Sequence, residues 1–157
     1  MKIIERATGR TYKGKIEKLN LNDVKKLKNN DQFVFDWSKE ARNEVYKLRI
    51  KGEDEILGLV SIINIPGEKR IHINLLEASK RNVGREKLFL NIAGILMAYI
   101  GRLAFTKRYN GFVSLQPKSA LAEVYLKYGF RKVGLFLAIY NIAAIQLITK
   151  YLEDNGR

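Results

Sequence analysis

Residues 77 to 87, EASKRNVGREK, bring together side chains that could hold an anion. Glu77 ends an apolar segment, and the cations Arg81, Arg85 and Lys87 surround Gly84 before a long apolar segment begins. Backbone N–H groups point outward where a loop enters a helix, and positive side chains beside them favour negative ligands. The stretch therefore predicts an anion site, with a phosphate group as its first candidate ligand.

The composition argues against several other chemistries. The chain of 157 residues has no cysteine and one histidine, His72, which removes disulfides, thiolate metal sites and a cysteine nucleophile and argues against a histidine-based metal site. We expect a cytoplasmic protein with no metal site. The first ten residues, MKIIERATGR, carry charge where a secretory signal needs an apolar stretch, so we expect no export signal. With 46% hydrophobic residues, residues 1–157 are predicted to form a single domain.

The net charge of +13 favours anionic binding partners. It arises from 29 Lys and Arg against 16 Asp and Glu, and creates a positive field that concentrates anions near the surface. Several lysines cluster in the first segment, at Lys13, Lys15, Lys18, Lys25, Lys26 and Lys28. Two interpretations stay open: a surface for nucleic acid or another polyanion, and lysines that keep a small protein soluble.

The first half of the chain predicts strands. The stretch TYKGKIEKLN alternates in the manner of an edge strand, and a short helix follows with Asn20 or Asn22 as its cap. Residues 45–50 and 56–65 predict a hairpin, and RIHINLLE adds a third antiparallel strand. Its alternation predicts Ile71, Ile73, Leu75 and Glu77 on one face, with His72 on the other as a structural residue.

The second half alternates between helices and strands. Residues 88–105 are nearly all apolar, and we interpret them as a central helix buried by the sheet rather than a membrane span, because Asn91 and Arg102 lie within them. GFVSLQP predicts a strand, SALAEVYLKYGF a helix starting near Ser119, and FRKVGLFLAIY a further strand. A closing helix would turn Ile142, Ile145, Ile148 or Thr149, and Leu152 inward. The order predicts an α+β fold, a mostly antiparallel mixed sheet flanked by helices.

At this point the sequence resembles the GNAT superfamily of acetyl-coenzyme A dependent N-acetyltransferases, over about residues 12 to 140. The family's coenzyme A loop reads Arg or Gln, two residues, Gly, one residue, then Gly or Ala. RNVGRE supplies Arg81 and Gly84 but places Glu86 last. A longer turn that delays the helix to NIAGIL would give the close-approach role to Ala93 and Gly94, and would leave Glu86 facing solvent. The resemblance assigns Arg81, Asn82, Val83, Gly84 and Arg85, with Leu76 on the preceding strand, to acetyl-coenzyme A.

A second motif of the family, Tyr-x-x-x-Gly-Phe, is matched by YLKYGF with Tyr125, Gly129 and Phe130 in register. The resemblance implies that Tyr125 protonates the departing thiolate of coenzyme A, whereas its structural alternative is a tyrosine packed against the sheet. Lys118 stands seven residues before Tyr125, where family members often have Asn, and a lysine there could reach a phosphate. Glu77 is the candidate base that takes the proton of the amine, with a solvated strand-end carboxylate as its alternative.

Three functions remain in contention. The first is acetyl transfer to a primary amine in a ternary complex, with no acyl-cysteine intermediate. The second is a GNAT-like protein without catalysis that binds nucleic acid or an acidic protein through its basic surface, and the third is a peripheral membrane protein, although we expect no membrane partner. A homodimer is possible by analogy with the family. The positive charge argues against polyamine acceptors, because like charges repel.

Overall fold

The computed structural model describes residues 1–117 and 121–153. Within them the elements are β1 (Lys2–Ile4), β2 (Thr11–Lys18), α1 (Leu21–Lys25), β3 (Glu44–Ile50), β4 (Gly58–Ile65), β5 (Arg70–Ala78), α2 (Ile92–Thr106), β6 (Val113–Leu115), α3 (Ala122–Lys127), β7 (Arg131–Val133), β8 (Phe136–Ile139) and α4 (Asn141–Ile148), with a π-helical turn at Thr149–Glu153. The predicted α+β fold is confirmed.

One mixed sheet organises these elements. Its strand order is β1-β2-β3-β4-β5-β6-β8-β7, and every pairing is antiparallel except that of β5 with β6. The predicted hairpin of β3 and β4, the third strand β5 and the Asn20 cap of α1 are all confirmed. The strand β2 is not at the edge as predicted, because β1 pairs outside it and buries Ile3 completely.

The two faces of the sheet carry separate hydrophobic cores. Helices α2 and α4 cover one face, where Leu48, Val60 and Ile95 belong to the larger core. The segment from α1 to residue 41 covers the other face, where Trp37, Val45 and Leu59 form the centre of a smaller core. Burial on both faces explains why β4 is almost continuously apolar rather than alternating.

The central helix begins later than the apolar run predicts. Residues 88–91 are not helical and hydrogen-bond to the N-terminal segment: Leu90 N–H donates to the Ile4 carbonyl at 2.9 Å, and Arg6 N–H donates to the Leu88 carbonyl at 2.9 Å. Helix α2 therefore starts at Ile92, as the delayed-helix interpretation of NIAGIL predicts. No helix within the described ranges combines the length and the apolar character that a membrane crossing needs.

Small residues on α2 allow α4 to pack closely against it. A Cβ added to Gly94 would lie 2.3 Å from the Tyr151 ring, and one added to Gly101 would lie 3.7 Å from Ile148. The inward face of α4 consequently carries Ala144, Leu147 and Ile148.

Two sequence predictions about the C-terminal region are wrong. Ile148 and Leu152 are buried as predicted, but Ile142 and Ile145 are 71% and 51% exposed rather than inward, because the buried face of α4 carries Ala144 and Leu147 instead. FRKVGLFLAIY forms the two strands β7 and β8 rather than one. The turn between them contains Gly134 with φ of +59°, a left-handed conformation that glycine adopts readily.

A β-bulge at Asn74 reverses the side-chain alternation of β5. Opposite β5, Ser61 pairs with Leu75 while the next residue, Ile62, pairs with Ile73, so Asn74 is the extra residue. Ile71 and Ile73 face α2, whereas Leu75 packs into the smaller core and Leu76 turns toward the larger one. The prediction that Leu75 and Glu77 share a face with Ile71 and Ile73 is therefore wrong, since one inserted residue exchanges the two faces.

Two buried serines of the sheet offer a matched test of this packing. Ser61 Oγ is buried without a hydrogen-bond partner among the described residues, whereas Ser114 Oγ accepts from Arg70 Nη1 at 2.6 Å and lies 2.9 Å from His72 Nδ1. We expect Ser61→Ala to leave the free energy of unfolding unchanged or raise it, and Ser114→Ala to lower it by about 1–3 kcal/mol. Urea denaturation measures both, and equal losses would contradict the assignment.

Candidate functional site

The site lies where β5 and β6 separate. Their parallel pairing runs from Ile71 opposite Val113 to Ile73 opposite Leu115 and ends there, while β5 continues to Ala78. The second half of β5 has no strand neighbour from β6, and a cleft opens beside it. The bulge at Asn74 stands at the point of separation.

The larger cavity of this region has a volume of about 390 Å³, within the range of ligand pockets in proteins. We call it the coenzyme cleft. Its walls come from the end of β5, the turn before α2, the first turns of α2 and one face of α3. The lining residues are Leu76, Ala78, Asn82, Val83, Gly84, Lys87, Leu90, Ile92, Ala93, Met97, Leu121, Val124, Tyr125 and Tyr128.

The turn that forms one rim of the cleft is held by Asn82. This side chain is buried, donates to Ser79 Oγ at 2.8 Å and accepts from Phe89 N–H at 3.1 Å. The hydrogen bonds fix the backbone on both sides of Val83 and Gly84, which are exposed. Gly84 has φ of +78° and open space around it, so the backbone approaches the cleft without a side chain in the way.

The N-terminus of α2 presents its amide groups at the same cleft. Asn91 precedes the helix, but its side chain bonds to β1 instead of capping: Nδ2 donates to the Lys2 carbonyl at 2.7 Å and Oδ1 accepts from Ile4 N–H at 3.1 Å. The N–H groups of the first helical turn therefore receive no side-chain cap, and with the helix dipole they favour an anion. Ala93 and Lys87 line the cleft beside them.

Three predicted coenzyme residues, Arg81, Arg85 and Gly94, have other surroundings, and a fourth is not among the described residues. The Arg81 guanidinium lies 3.0 and 3.1 Å from the two oxygens of Glu55, and Arg85 is exposed; neither lines the cleft. Gly94 faces Tyr151. Lys118 falls outside the described residues. Their contact with coenzyme stays a prediction.

Glu86, whose acidic side chain departs from the family's loop motif, does not obstruct the cleft. Its side chain is 92% exposed and forms a 3.3 Å ion pair with Arg6. Because the helix starts six residues later, this carboxylate points away from the helix amides and into solvent, as the delayed-helix interpretation predicts.

Tyr125 reaches the cleft from α3. Its ring packs edge-on against Phe130 with centroids 6.0 Å apart, and its hydroxyl makes no hydrogen bond within residues 1–117 and 121–153. Burial, followed by the neighbouring Tyr128, raises the pKa of Tyr125 above its ordinary value. The hydroxyl therefore stays protonated at neutral pH and can donate a proton.

Glu77 lies on the opposite face of the sheet and holds the segment before β3. Its oxygens accept from Val34 N–H at 2.6 Å, from Phe35 N–H at 3.3 Å and from the Trp37 indole N–H at 2.9 Å. Three donors occupy the carboxylate that the sequence offers as a base. Its role as a base stays a prediction, and the structure gives Glu77 a positioning role.

A smaller cavity of about 130 Å³ adjoins the coenzyme cleft, and we call it the acceptor pocket. It shares Leu76, Leu121 and Tyr125 with the cleft. Its other lining residues are Phe35, Ile73, Asn74, Leu75, Leu115, Gln116 and Pro117. The two cavities therefore meet along Leu76, Leu121 and Tyr125, of which Tyr125 is the one with a titratable group.

Sequence reasoning missed most of the α3 wall. Leu121, Val124, Tyr125 and Tyr128 recur at helical spacing, and none of α3 is fully buried. This apolar stripe is the sequence feature from which the wall could have been predicted. An apolar stripe on a short helix, however, usually predicts core packing. Only the separation of β5 and β6 shows that it faces a cavity.

One group of basic residues lies on strands away from the cleft. Lys13 and Lys15 of β2 share a sheet face with Lys47 and Arg49 of β3, where Arg49 pairs with Glu17. A nucleic-acid partner for this face stays a prediction. His72, at the other end of β5, has a structural environment beside Ser114; burial, followed by Arg70, lowers its pKa below the ordinary value.

Comparison with solved structures identifies the fold. The chain superposes on nourseothricin acetyltransferase with a TM-score of 0.60 and 11% identity, covering 81% of this chain and 98% of that one. It matches the spermidine/spermine N-acetyltransferase of Vibrio cholerae with a TM-score of 0.59 and 13% identity, covering 90% of this chain and 97% of that one. It also matches the PaiA N-acetyltransferase of Thermoplasma acidophilum, solved with coenzyme A, with a TM-score of 0.54 and 11% identity, covering 82% of this chain and 98% of that one. No protein-family model and no curated protein matches the sequence. The predicted GNAT fold is therefore confirmed.

The anchoring role of Glu77 can be tested with the chain's one tryptophan. In Glu77→Gln an amide N–H₂ replaces one of the acceptor oxygens, so the segment around Trp37 loses hydrogen bonds and loosens. We expect a red shift of Trp37 fluorescence and faster hydrogen exchange at Val34 and Phe35, with a loss of about 1–3 kcal/mol of unfolding free energy. Glu86→Gln, an exposed carboxylate, is the control. An unchanged Trp37 environment in Glu77→Gln would contradict the anchoring role.

Proposed function

We propose that this chain, which has the fold of the GNAT acetyltransferases, transfers an acetyl group from acetyl-coenzyme A to a primary amine in a ternary complex. The observation that carries the proposal is the meeting of two cavities at Tyr125, one with helix amides at its end and one closed by apolar side chains. Because the relatives share under 15% identity, the activity rests on the site rather than on the likeness.

The coenzyme cleft fits a long ligand with an anionic end. The first-turn amides of α2, exposed Gly84 and the Lys87 ammonium would hold a pyrophosphate. The apolar wall of Leu76, Ala78 and Val124 would follow the pantetheine chain toward Tyr125. The similar solved structures support this assignment. They share the fold and nearly their whole length with this chain, and one of them was solved with coenzyme A.

Bound acetyl-coenzyme A supplies an acetyl thioester. A neutral amine nitrogen attacks the carbonyl carbon, so that a C–N bond forms and the C–S bond breaks. The nitrogen releases one proton to solvent, and the sulfur takes one from the Tyr125 hydroxyl, which solvent then reprotonates. Tyr125 suits the role because it keeps its proton at neutral pH and borders both cavities.

Coenzyme binding is tested by placing negative charge at the anion end of the cleft. We expect Lys87→Glu and Ala93→Asp to weaken acetyl-coenzyme A binding at least tenfold in calorimetry, since both place a carboxylate near the phosphates. Asp is favourable in a first helical turn, so Ala93→Asp should fold. Lys107→Glu, at the opposite end of α2, makes the same charge change as Lys87→Glu and is the control. Wild-type affinity in both cleft variants would overturn the proposed binding site.

The role of Tyr125 is tested by removing its hydroxyl alone. We expect Tyr125→Phe to bind acetyl-coenzyme A with unchanged affinity and to lose about 100-fold or more in kcat, because proton transfer to sulfur lacks its donor. In the wild-type protein the raised pKa keeps the hydroxyl protonated, so the rate should not fall with pH until above pH 10. Tyr140→Phe, outside both cavities, is the control. Full activity in Tyr125→Phe would give the tyrosine a packing role only.

A further inference from the structure

The charge and size of the acceptor pocket select among amines. The inference drawn from them rests on the proposed acetyl transfer. None of its described lining residues is charged. Two carboxylates near it already accept hydrogen bonds from neutral donors, Glu40 from Asn74 Nδ2 at 2.7 Å and Glu77 from three N–H groups of the preceding segment. A polycationic acceptor would therefore find no carboxylate among the described residues that line the pocket itself.

The size of the pocket limits what can enter. Its volume of about 130 Å³ is below the roughly 300–1,000 Å³ of pockets that enclose a whole small ligand. Phe35, Leu115 and Pro117 make the enclosed part apolar. The pocket therefore admits one small apolar group, and the remainder of the acceptor must lie outside it. A peptide terminus meets this requirement, because its first side chain can enter the pocket while the rest of the peptide stays outside.

Among the described lining residues, none offers a base for the proton of a charged amine. Tyr125 keeps its own proton, and Glu77, which does not line the pocket, already accepts three N–H bonds. An acceptor that is already neutral in solution reacts without such a base. At pH 7.5 about one third of peptide α-amino groups are neutral, against roughly one in 800 lysine side chains.

We propose that the acceptor is the α-amino group of a peptide N-terminus whose first side chain is small and apolar. The first side chain occupies the space between Phe35, Leu115 and Pro117, and the α-amino nitrogen lies at the Tyr125 end of the pocket. The second and later residues leave through the open side near Gln116, which is exposed. A free amino acid fits less well, because its carboxylate would have no cationic partner among the described lining residues.

The test measures thiol release from acetyl-coenzyme A by the purified full chain with four amines at pH 7.5. These are the tripeptide amide Val-Gly-Gly, the same peptide beginning with Asp, an N-acetylated tripeptide amide with a central lysine, and spermidine. We expect kcat/KM for Val-Gly-Gly to exceed those for the lysine peptide and spermidine at least 100-fold, and that for the Asp peptide at least tenfold. The Val-Gly-Gly value should rise with pH and level off near the amine pKa of about 8.

A matched pair of variants locates this selectivity in the pocket. Gln116→Glu adds a carboxylate at the rim with no change of shape, and we expect it to raise the spermidine-to-Val-Gly-Gly ratio about five- to tenfold. Gln146→Glu makes the same change on the exposed side of α4 and should leave the ratio unaltered. Equal shifts in both variants would place the effect in the net charge and overturn the pocket assignment.

The outcomes separate the two proposals. Thiol release that is fastest with spermidine or the lysine peptide overturns the N-terminus proposal and leaves acetyl transfer standing. Coenzyme binding with no transfer to Val-Gly-Gly overturns the N-terminus proposal as well. Failure to bind acetyl-coenzyme A in calorimetry, together with no thiol release from any amine, overturns the proposed function and the acceptor class with it.

Discussion

The early end of the pairing between β5 and β6 is the constraint on which the site depends. Three residues of β6 pair with Ile71 to Ile73, and the remaining half of β5 continues without that neighbour. At the same point the Asn74 bulge exchanges the faces of β5. One irregularity thus sends Leu76 toward the coenzyme cleft and Glu77 toward the opposite side of the sheet. In a regular strand without the bulge, Leu76 and Glu77 would each face the other side of the sheet.

The N-terminal strand controls the geometry of the coenzyme turn. Leu90 and Asn91 bond to β1 rather than extending α2 backwards, and Asn82 bonds across the turn to Phe89. The helix start is therefore displaced, and its first amides have no side-chain cap. The same displacement moves Glu86 out to Arg6. A loop that departs from the family's motif in sequence can in this way present the same chemical groups, amides and a cation, at the end of a cleft.

Glu77 shows how one side chain can look catalytic in a sequence and act as a support in a structure. Its place at the end of β5 beside the coenzyme turn suggests a base, yet its oxygens bind two backbone N–H groups and the Trp37 indole. Through these bonds it fixes the segment that brings Phe35 to the acceptor pocket. No charged side chain is among the described residues that line that pocket, and the nearby carboxylates of Glu40 and Glu77 hold its walls through hydrogen bonds to Asn74 and Phe35.

The sequence by itself determined the hairpin, the third strand and most of the order of elements, because periodicity, caps and turns are local properties of the chain. The delayed start of α2 and the prominence of Tyr125 came instead from the resemblance to the GNAT superfamily, since the apolar run alone predicted a helix from residue 88. It could not determine the edge position of β1, the exposed Ile142 and Ile145, or the split of the last strand into β7 and β8, since each depends on which surface a distant element covers. The faces of Leu75 and Glu77 were mispredicted because a bulge leaves no mark in an apolar alternation. Tertiary structure alone decided that Arg81 pairs with Glu55, that Gly94 admits Tyr151 and that the α3 stripe lines a cavity. Such contacts join residues far apart in sequence, and packing rather than local propensity selects them.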